Sequence, residues 1–282
     1  MRAEAEQESR RIAVLGAGYI GSALAAQAAA AGHAVWAVRR SAVETAPDGV
    51  TWLRGSVAAG AVAGLPAALD LVVLTVAPSF GSDGYESTYP PAAAGALAIA
   101  RATGAGQVIY TSSTGVYGGQ DGAWVTEASP RLGRGAGNDA LIAAEDILLQ
   151  SESPSVHVLR VAGIYGPGRD PRARMRDAAA LPERGEYWTN LAHRDDIVGA
   201  ILHVAARGDV SGVFNVSDGQ PALAADVSRW LAAAAGADPE RLVFANEAQR
   251  SRNNQRVSSA ALQATGWVPR YASFREGFSR GL

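Results

Sequence analysis

Three glycines, Gly16, Gly18 and Gly21, follow the apolar run 12–15 in the spacing G-x-G-x-x-G and lead into an alanine-rich stretch. Between a strand and a helix, each glycine of that spacing has a separate task. Gly16 permits a tight turn, Gly18 lets the backbone approach a pyrophosphate with no side chain in between, and Gly21 lets the new helix lie close on the strand. The N–H groups at the helix start, around Tyr19 and Ile20, and the positive end of the helix dipole then face the anion. About 20 residues further on, where a carboxylate would hold the ribose hydroxyls of NAD, the chain has Arg39 and Arg40. A carboxylate repels a 2'-phosphate whereas guanidinium groups clamp one, so this pair points to NADP(H) in preference to NAD(H).

Composition removes other chemistries. There is no cysteine, hence no disulfide, thiolate metal site or thiol nucleophile, and a reducing compartment is expected. All 25 basic residues are arginine, so no lysine can act as base, Schiff-base amine or phosphate ligand. Asp195 and Asp196 are adjacent at an expected helix start, where carboxylates complement the dipole, and no His or Glu cluster completes a coordination set, so no metal is expected. A net charge of -2 gives no general attraction to nucleic acid or anionic lipid, which leaves a small molecule as the expected partner. No run is apolar over the 18 or more residues that a membrane span requires, and no apolar leader precedes the first strand; a cytoplasmic protein without membrane attachment is the expectation.

These residues need a frame. Residues 1–10 read as a disordered arm. A strand to residue 15, a helix over 19–31, a strand at 34–38 and another at 50–55 leading to Ser56 and Val57 form the opening units. A strong apolar strand at 70–77 follows, ending near Val76. The next stretch, APSFGSDGYESTYPP at 77–91, reads as a long loop over the ligand crevice, with Tyr85 and Tyr89 either on the substrate side or at the surface, before a helix over 92–103. Strands at 107–113 and 156–161 and a helix over 137–150 complete the alternation. The architecture expected is α/β, a Rossmann-type doubly wound parallel sheet with a smaller C-terminal substrate lobe.

The run VIYTSSTGVYG at 108–118 resembles the strand and turn of the extended short-chain dehydrogenase/reductase superfamily, in its NAD(P)-dependent epimerase/dehydratase branch. LRVAGIYGPGR at 159–169, NLAHRDDIVGAI at 190–201, GVFNVSDGQP at 212–221 and RVSSAALQATGWVPRYASFREG at 256–277 extend the resemblance over most of the chain. It implies a dinucleotide-binding domain over 11–166 to which 190–217 returns, and a substrate lobe of 167–189 and 218–282. It assigns Ser113 as the hydroxyl that hydrogen-bonds a reacting carbonyl and puts the backbone of Gly163 and Ile164 at the nicotinamide carboxamide. It adds Gly16, Gly18, Tyr19, Ile20, Gly21, Ser56, Val57 and Val76 as cofactor contacts. A homodimer is among the assemblies it admits.

One implied feature is missing. The superfamily's acid/base tyrosine and its lysine four residues later fall on Gly137 and Leu141, neither of which exchanges a proton. Replacement candidates are Tyr117, Tyr165 and His193, each with a packing role as the alternative, while Asn138 and Asp139 beside the vacant position either bind ribose or substrate or cap the helix. The basic segment 168–177 is either an anion site or an exposed loop. The function expected is an NADP(H)-dependent oxidoreductase or epimerase-like enzyme acting by hydride transfer on a small polar carbonyl or alcohol. The alternative is a non-catalytic NADP(H)-binding redox or metabolite sensor.

Overall fold

Ile12, Ala13, Val14 and Leu15 are all buried to within 1% of completely, as a central parallel strand covered on both faces must be. In the computed structural model, which describes residues 8–42, 47–78, 84–172, 180–181, 185–207, 210, 212–244 and 254–282, they belong to β1 (Arg11–Leu15). The chain continues through α1 (Tyr19–Ala30), β2 (Ala34–Arg39), β3 (Val50–Arg54), β4 (Leu71–Leu74), α2 (Tyr85–Ala102), β5 (Gln107–Ser113), α3 (Ala136–Leu149) and β6 (Ser155–Val161). Then come α4 (Arg194–Ala206), β7 (Gly212–Val216), α5 (Ala224–Ala234), α6 (Ala260–Ala264) and α7 (Phe274–Arg280).

Seven strands form one sheet in the order β7-β6-β5-β4-β1-β2-β3. The chain starts in the middle, runs outward to β3, and returns to the other side of β1 at β4, so β1 and β4 flank a topological switch point. Their pairing is parallel, with Ile12 beside Leu71 and Leu15 beside Leu74. This is the doubly wound α/β sheet expected from the alternation of elements.

The chain packs as two units. The first comprises Met1–Thr111, Ala140–Val158 and Val204–Gly212; the second comprises Ser112–Asp139, Leu159–His203 and Val213–Leu282. In the first, α2 crosses the single turn Val57–Ala59 at Gly95, where any Cβ would overlap the Val57 carbonyl oxygen, so glycine is required for the approach. In the second, Tyr165, Val227, Leu231, Ala232, Leu242, Phe274 and Phe278 form an apolar core that α5 and α7 close.

Two sequence expectations change. The loop expected over 77–91 gives way at Tyr85 to α2, and Pro90 and Pro91 lie inside the helix. Each proline forfeits one helical hydrogen bond, but the carbonyls so released belong to Glu86 and Ser87, which are exposed and can be hydrated. Tyr85 and Tyr89 therefore stand on a helix and stack at 6.0 Å; residues 79–83 of the expected loop lie outside the described residues. Of the arm expected over residues 1–10, Ser9 and Arg10 are bonded to the fold, Ser9 Oγ donating to the Gly32 carbonyl at 2.8 Å. Residues 1–7 lie outside the described residues, whereas Arg10 donates to the Ala205 carbonyl at 2.5 Å and to Gln107 Oε1 at 3.2 Å.

Candidate functional site

In the first unit, the turn between β1 and α1 shows why each glycine is needed. Gly16 has φ +96°, and a Cβ there would stand 2.6 Å from the Val76 nitrogen. A Cβ on Gly21 would stand 2.6 Å from Thr75 Oγ1 and 2.7 Å from the Gly16 carbonyl oxygen. Thr75, just past β4, donates its hydroxyl to that same carbonyl at 2.9 Å and so ties the turn to the switch point. Sequence reasoning missed Thr75, because a threonine after a strand carries no signal until its partner is known. Gly18 differs from the other two: the nearest atom to a Cβ there is the Gly16 carbonyl oxygen at 3.9 Å.

The space beside Gly18 therefore lies at the N-terminus of α1, with Gly18 as N-cap and no side chain capping it. Intrahelical bonding starts with the Ser22 N–H on the Gly18 carbonyl at 2.9 Å, and the Gly18 N–H is spent on the Gly16 carbonyl at 2.7 Å, so the N–H groups of Tyr19, Ile20 and Gly21 are those oriented along the axis toward that space. A pyrophosphate fits this cradle. At the end of β2, Arg39 is half-buried and donates to Ser41 Oγ from Nε and Nη2 at 3.0 and 2.7 Å. Arg40 is exposed, and its carbonyl is held by Arg54 Nε at 3.1 Å. Ser56 is exposed at the N-cap of the turn Val57–Ala59 and spends no side-chain bond on capping, whereas Val57 is buried.

In the second unit, Ser113 ends β5 and caps the turn Thr114–Tyr117, its Oγ accepting from the Gly115 N–H at 3.1 Å. Such a bond uses a lone pair and leaves the hydroxyl proton to be donated. The three replacement acid/base candidates are placed otherwise than a proton donor requires. Tyr117 is 0% exposed; its hydroxyl donates to Asn215 Oδ1 at 2.6 Å and accepts from Arg160 Nη1 at 3.0 Å. Burial raises its pKa against the opposing pull of Arg160. His193 is 1% exposed; its Nδ1 accepts from the Asp195 N–H at 3.1 Å, so Nε2 carries the proton and donates to the Gly281 carbonyl at 2.8 Å. The ring is a tether for the C-terminal residues. Tyr165 lies in the apolar core, with its ring 4.4 Å from that of Phe278, and Gly277 is the only residue type that fits over its hydroxyl.

Gly137 and Leu141 lie on α3, Gly137 half-buried in its first turn and Leu141 buried. Asn138 and Asp139 follow Gly137 in the first turn, both N–H groups directed to the Gly135 carbonyl at 3.0 and 3.1 Å, and the Asp139 carboxylate complements the dipole. Gly163 and Ile164 belong to the short strand Gly163–Tyr165, which pairs in parallel with Leu191–His193. Of the basic segment 168–177, residues 173–177 lie outside the described residues, and Arg172 is paired with Asp170 at 2.7 Å. Among the described residues, no group of three or more His, Cys, Asp or Glu side chains is placed to hold a metal ion. No helix there is long and apolar enough to cross a membrane.

Asp218 gives this unit a pH dependence. Burial, with the like charge of Asp196 adding to it, pushes its carboxyl up to about 7 against the hydrogen bond that it accepts from the Gln220 N–H at 2.9 Å. A carboxyl with a folded-state pKa above its ordinary value stabilises the fold while protonated, and that contribution is lost as pH rises from about 4 to about 7. Asp218→Asn, which keeps an oxygen to accept from the Gln220 N–H, should match the parent in urea unfolding at about pH 4. At pH 8 it should be more stable, on the order of 1–3 kcal/mol. An equal difference at both pH values would remove Asp218 as the cause.

With this geometry in place, the relatives can be compared. The profile of an NAD(P)H-binding domain matches residues 16–183. Protein YeeZ of Escherichia coli K12 is 30% identical over 220 residues, covering 73% of this chain and 77% of YeeZ. The dTDP-4-dehydrorhamnose reductase of Mycolicibacterium smegmatis is 30% identical over 258 residues, covering 86% of this chain and 74% of the reductase. Among solved structures, a Methylobacillus flagellatus protein named as an NAD-dependent epimerase/dehydratase superposes with a TM-score of 0.78 at 27% identity, covering 96% of this chain and 97% of that one.

Proposed function

Because the chain belongs to the NAD(P)H-binding family, within the epimerase/dehydratase branch of the extended short-chain dehydrogenase/reductase superfamily, we propose that it is an NADP(H)-dependent oxidoreductase acting on a small polar carbonyl or alcohol. The cradle beside Gly18 carries this reading, since it is open where Gly16 and Gly21 are closed. In it, the N–H groups of Tyr19, Ile20 and Gly21 hold the pyrophosphate across the bare Cα of Gly18, in the turn that Gly16 makes, Arg39 and Arg40 hold the 2'-phosphate, and Ser56, Val57 and Val76 line the adenosine half. Gly163 and Ile164 meet the carboxamide. The bound dinucleotide supplies or accepts a hydride at the nicotinamide. Ser113 donates its free hydroxyl proton as a hydrogen bond to the reacting oxygen, and water carries the proton that a tyrosine carries elsewhere in the superfamily. The substrate lobe of 167–189 and 218–282, a homodimer and a cytoplasmic location complete the proposal.

NADPH should bind at least about tenfold more tightly than NADH, a difference of about 1.4 kcal/mol that one charge-assisted contact to the 2'-phosphate can supply. Calorimetry returning equal affinities, or a preference for NADH, would remove Arg39 and Arg40 from this role. A second reading, a non-catalytic NADP(H) sensor, is favoured by the sequestration of Tyr117, Tyr165 and His193 together with Gly137 and Leu141 at the acid/base positions. The two readings separate on turnover. A panel of sugar nucleotides, keto acids, aldehydes and imines followed by NADPH absorbance should yield a substrate for the enzyme and none for the sensor.

A further inference from the structure

In the second unit, two short strands, Trp124–Val125 and Arg256–Val257, pair in parallel with Trp124 beside Arg256. The Arg256 guanidinium carbon stands 5.3 Å from the centre of the Trp124 ring and 5.1 Å from that of Trp188, a cation held by two indoles. The arrangement is fixed from several directions. Arg256 Nε donates to the Gly122 carbonyl at 2.7 Å. Asn254 accepts the Trp188 N–H on its Oδ1 at 2.9 Å and the Gln120 and Gly122 N–H groups on its carbonyl at 3.0 and 2.8 Å. Gly122 has φ +82°, and a Cβ there would stand 3.3 Å from the Trp188 ring, so the indole seats against a bare backbone.

Two features of this cluster are unspent. Among the described residues, Nη1 and Nη2 of the half-buried Arg256 meet no carboxylate and no other acceptor, although a guanidinium fork is built for two parallel bonds to a carboxylate or phosphate. Trp124 is 53% exposed, a large apolar face left to water beside that fork. Asp121, exposed at the turn, makes no ion pair with Arg256 among the described residues.

We propose that Arg256, Trp124 and Trp188 form a binding site for a planar aromatic ligand carrying an anionic group, either a carboxylate or a phosphate. The anion takes the free edge of the guanidinium, and the aromatic body lies on the exposed indole of Trp124. Flanking indoles exclude water from the cation and leave it less solvated, which strengthens its bond to an anion. The site involves none of the residues assigned to the dinucleotide, so it stands or falls separately from the function proposed above.

The test uses the full chain labelled with 15N at its six tryptophans, with and without saturating NADP(H), and follows the indole N–H signals assigned through Trp124→Phe and Trp188→Phe. Benzoate, phenyl phosphate, neutral benzamide and inorganic phosphate are titrated in turn. Saturable shifts of the Trp124 and Trp188 signals are expected with benzoate or phenyl phosphate at least about tenfold tighter than with benzamide, the margin of one charge-assisted bond. The tighter of the two anions identifies the group that the site takes. Arg256→Gln should abolish that preference, and Trp124→Ala, a change at an exposed position, should weaken all three aryl probes. Should Arg256→Gln fail to fold, Arg256→Lys keeps charge and stem but loses the fork, and should narrow the preference. Equal affinity for benzoate and benzamide, absence of saturable shifts, an undiminished preference in Arg256→Lys, or undiminished affinity for the aryl probes in Trp124→Ala would each overturn the proposal.

Discussion

Gly18→Val should abolish NADPH binding, a loss beyond about a thousandfold or roughly 4 kcal/mol, while the protein stays folded. The expectation rests on the contrast among the three glycines of the turn. A Cβ at Gly18 meets only the Gly16 carbonyl oxygen, at 3.9 Å, and φ there is negative, so a branched side chain is accommodated by the chain itself. It then occupies the space in front of the α1 N-terminus, where an anion would have to come within hydrogen-bonding distance of the peptide N–H groups. Gly16→Val is the opposite case, since a positive φ and a contact of 2.6 Å with Val76 backbone make it a folding defect. Calorimetry with NADPH, paired with thermal unfolding by circular dichroism, separates the two. A folded Gly18→Val protein that binds NADPH normally would show that the cradle has been assigned to the wrong ligand.

Ser113→Ala should lower turnover by about tenfold to a thousandfold with little change in KM, because a hydrogen bond to the reacting oxygen strengthens as charge develops on it. The same change removes the cap that Ser113 Oγ provides to the Gly115 N–H, a loss of about 1 kcal/mol in stability. The two roles can be told apart. Ser113→Thr retains both the cap and the donatable proton and should recover most of the rate, whereas a purely structural role would show as lowered melting temperature with unchanged kcat. Unchanged kcat in a stable Ser113→Ala protein would move the reacting oxygen away from β5 and toward water or another donor.

The parts of this protein written locally were legible in advance. The strand before the glycine turn, the helix after it and β5 at Gln107–Ser113 fall within a residue or two of where apolar runs and turn residues put them, because strand and helix periodicity is a property of neighbours in sequence. The jobs of Gly16 and Gly21 were legible for the same reason, since the turn that demands them is six residues long. The extent of α2 was not, because proline reads as a stop and only the exposure of Glu86 and Ser87 explains how the helix tolerates two of them.

What a tyrosine or histidine can do is settled by partners distant along the chain. Tyr117 is withdrawn by Asn215, 98 residues away, which accepts a hydrogen bond from its hydroxyl. His193 is held by Gly281, 88 residues away, and the Arg256 guanidinium finds its two indoles across strand pairings that no local pattern encodes. By itself, then, the sequence determined the doubly wound sheet, the dinucleotide turn and the absence of any lysine, all of them statements about residue type and spacing. Only the tertiary structure decided which polar groups are spent and which are left over, because burial removes water as the alternative partner and makes the availability of each proton depend on the packing of the whole unit.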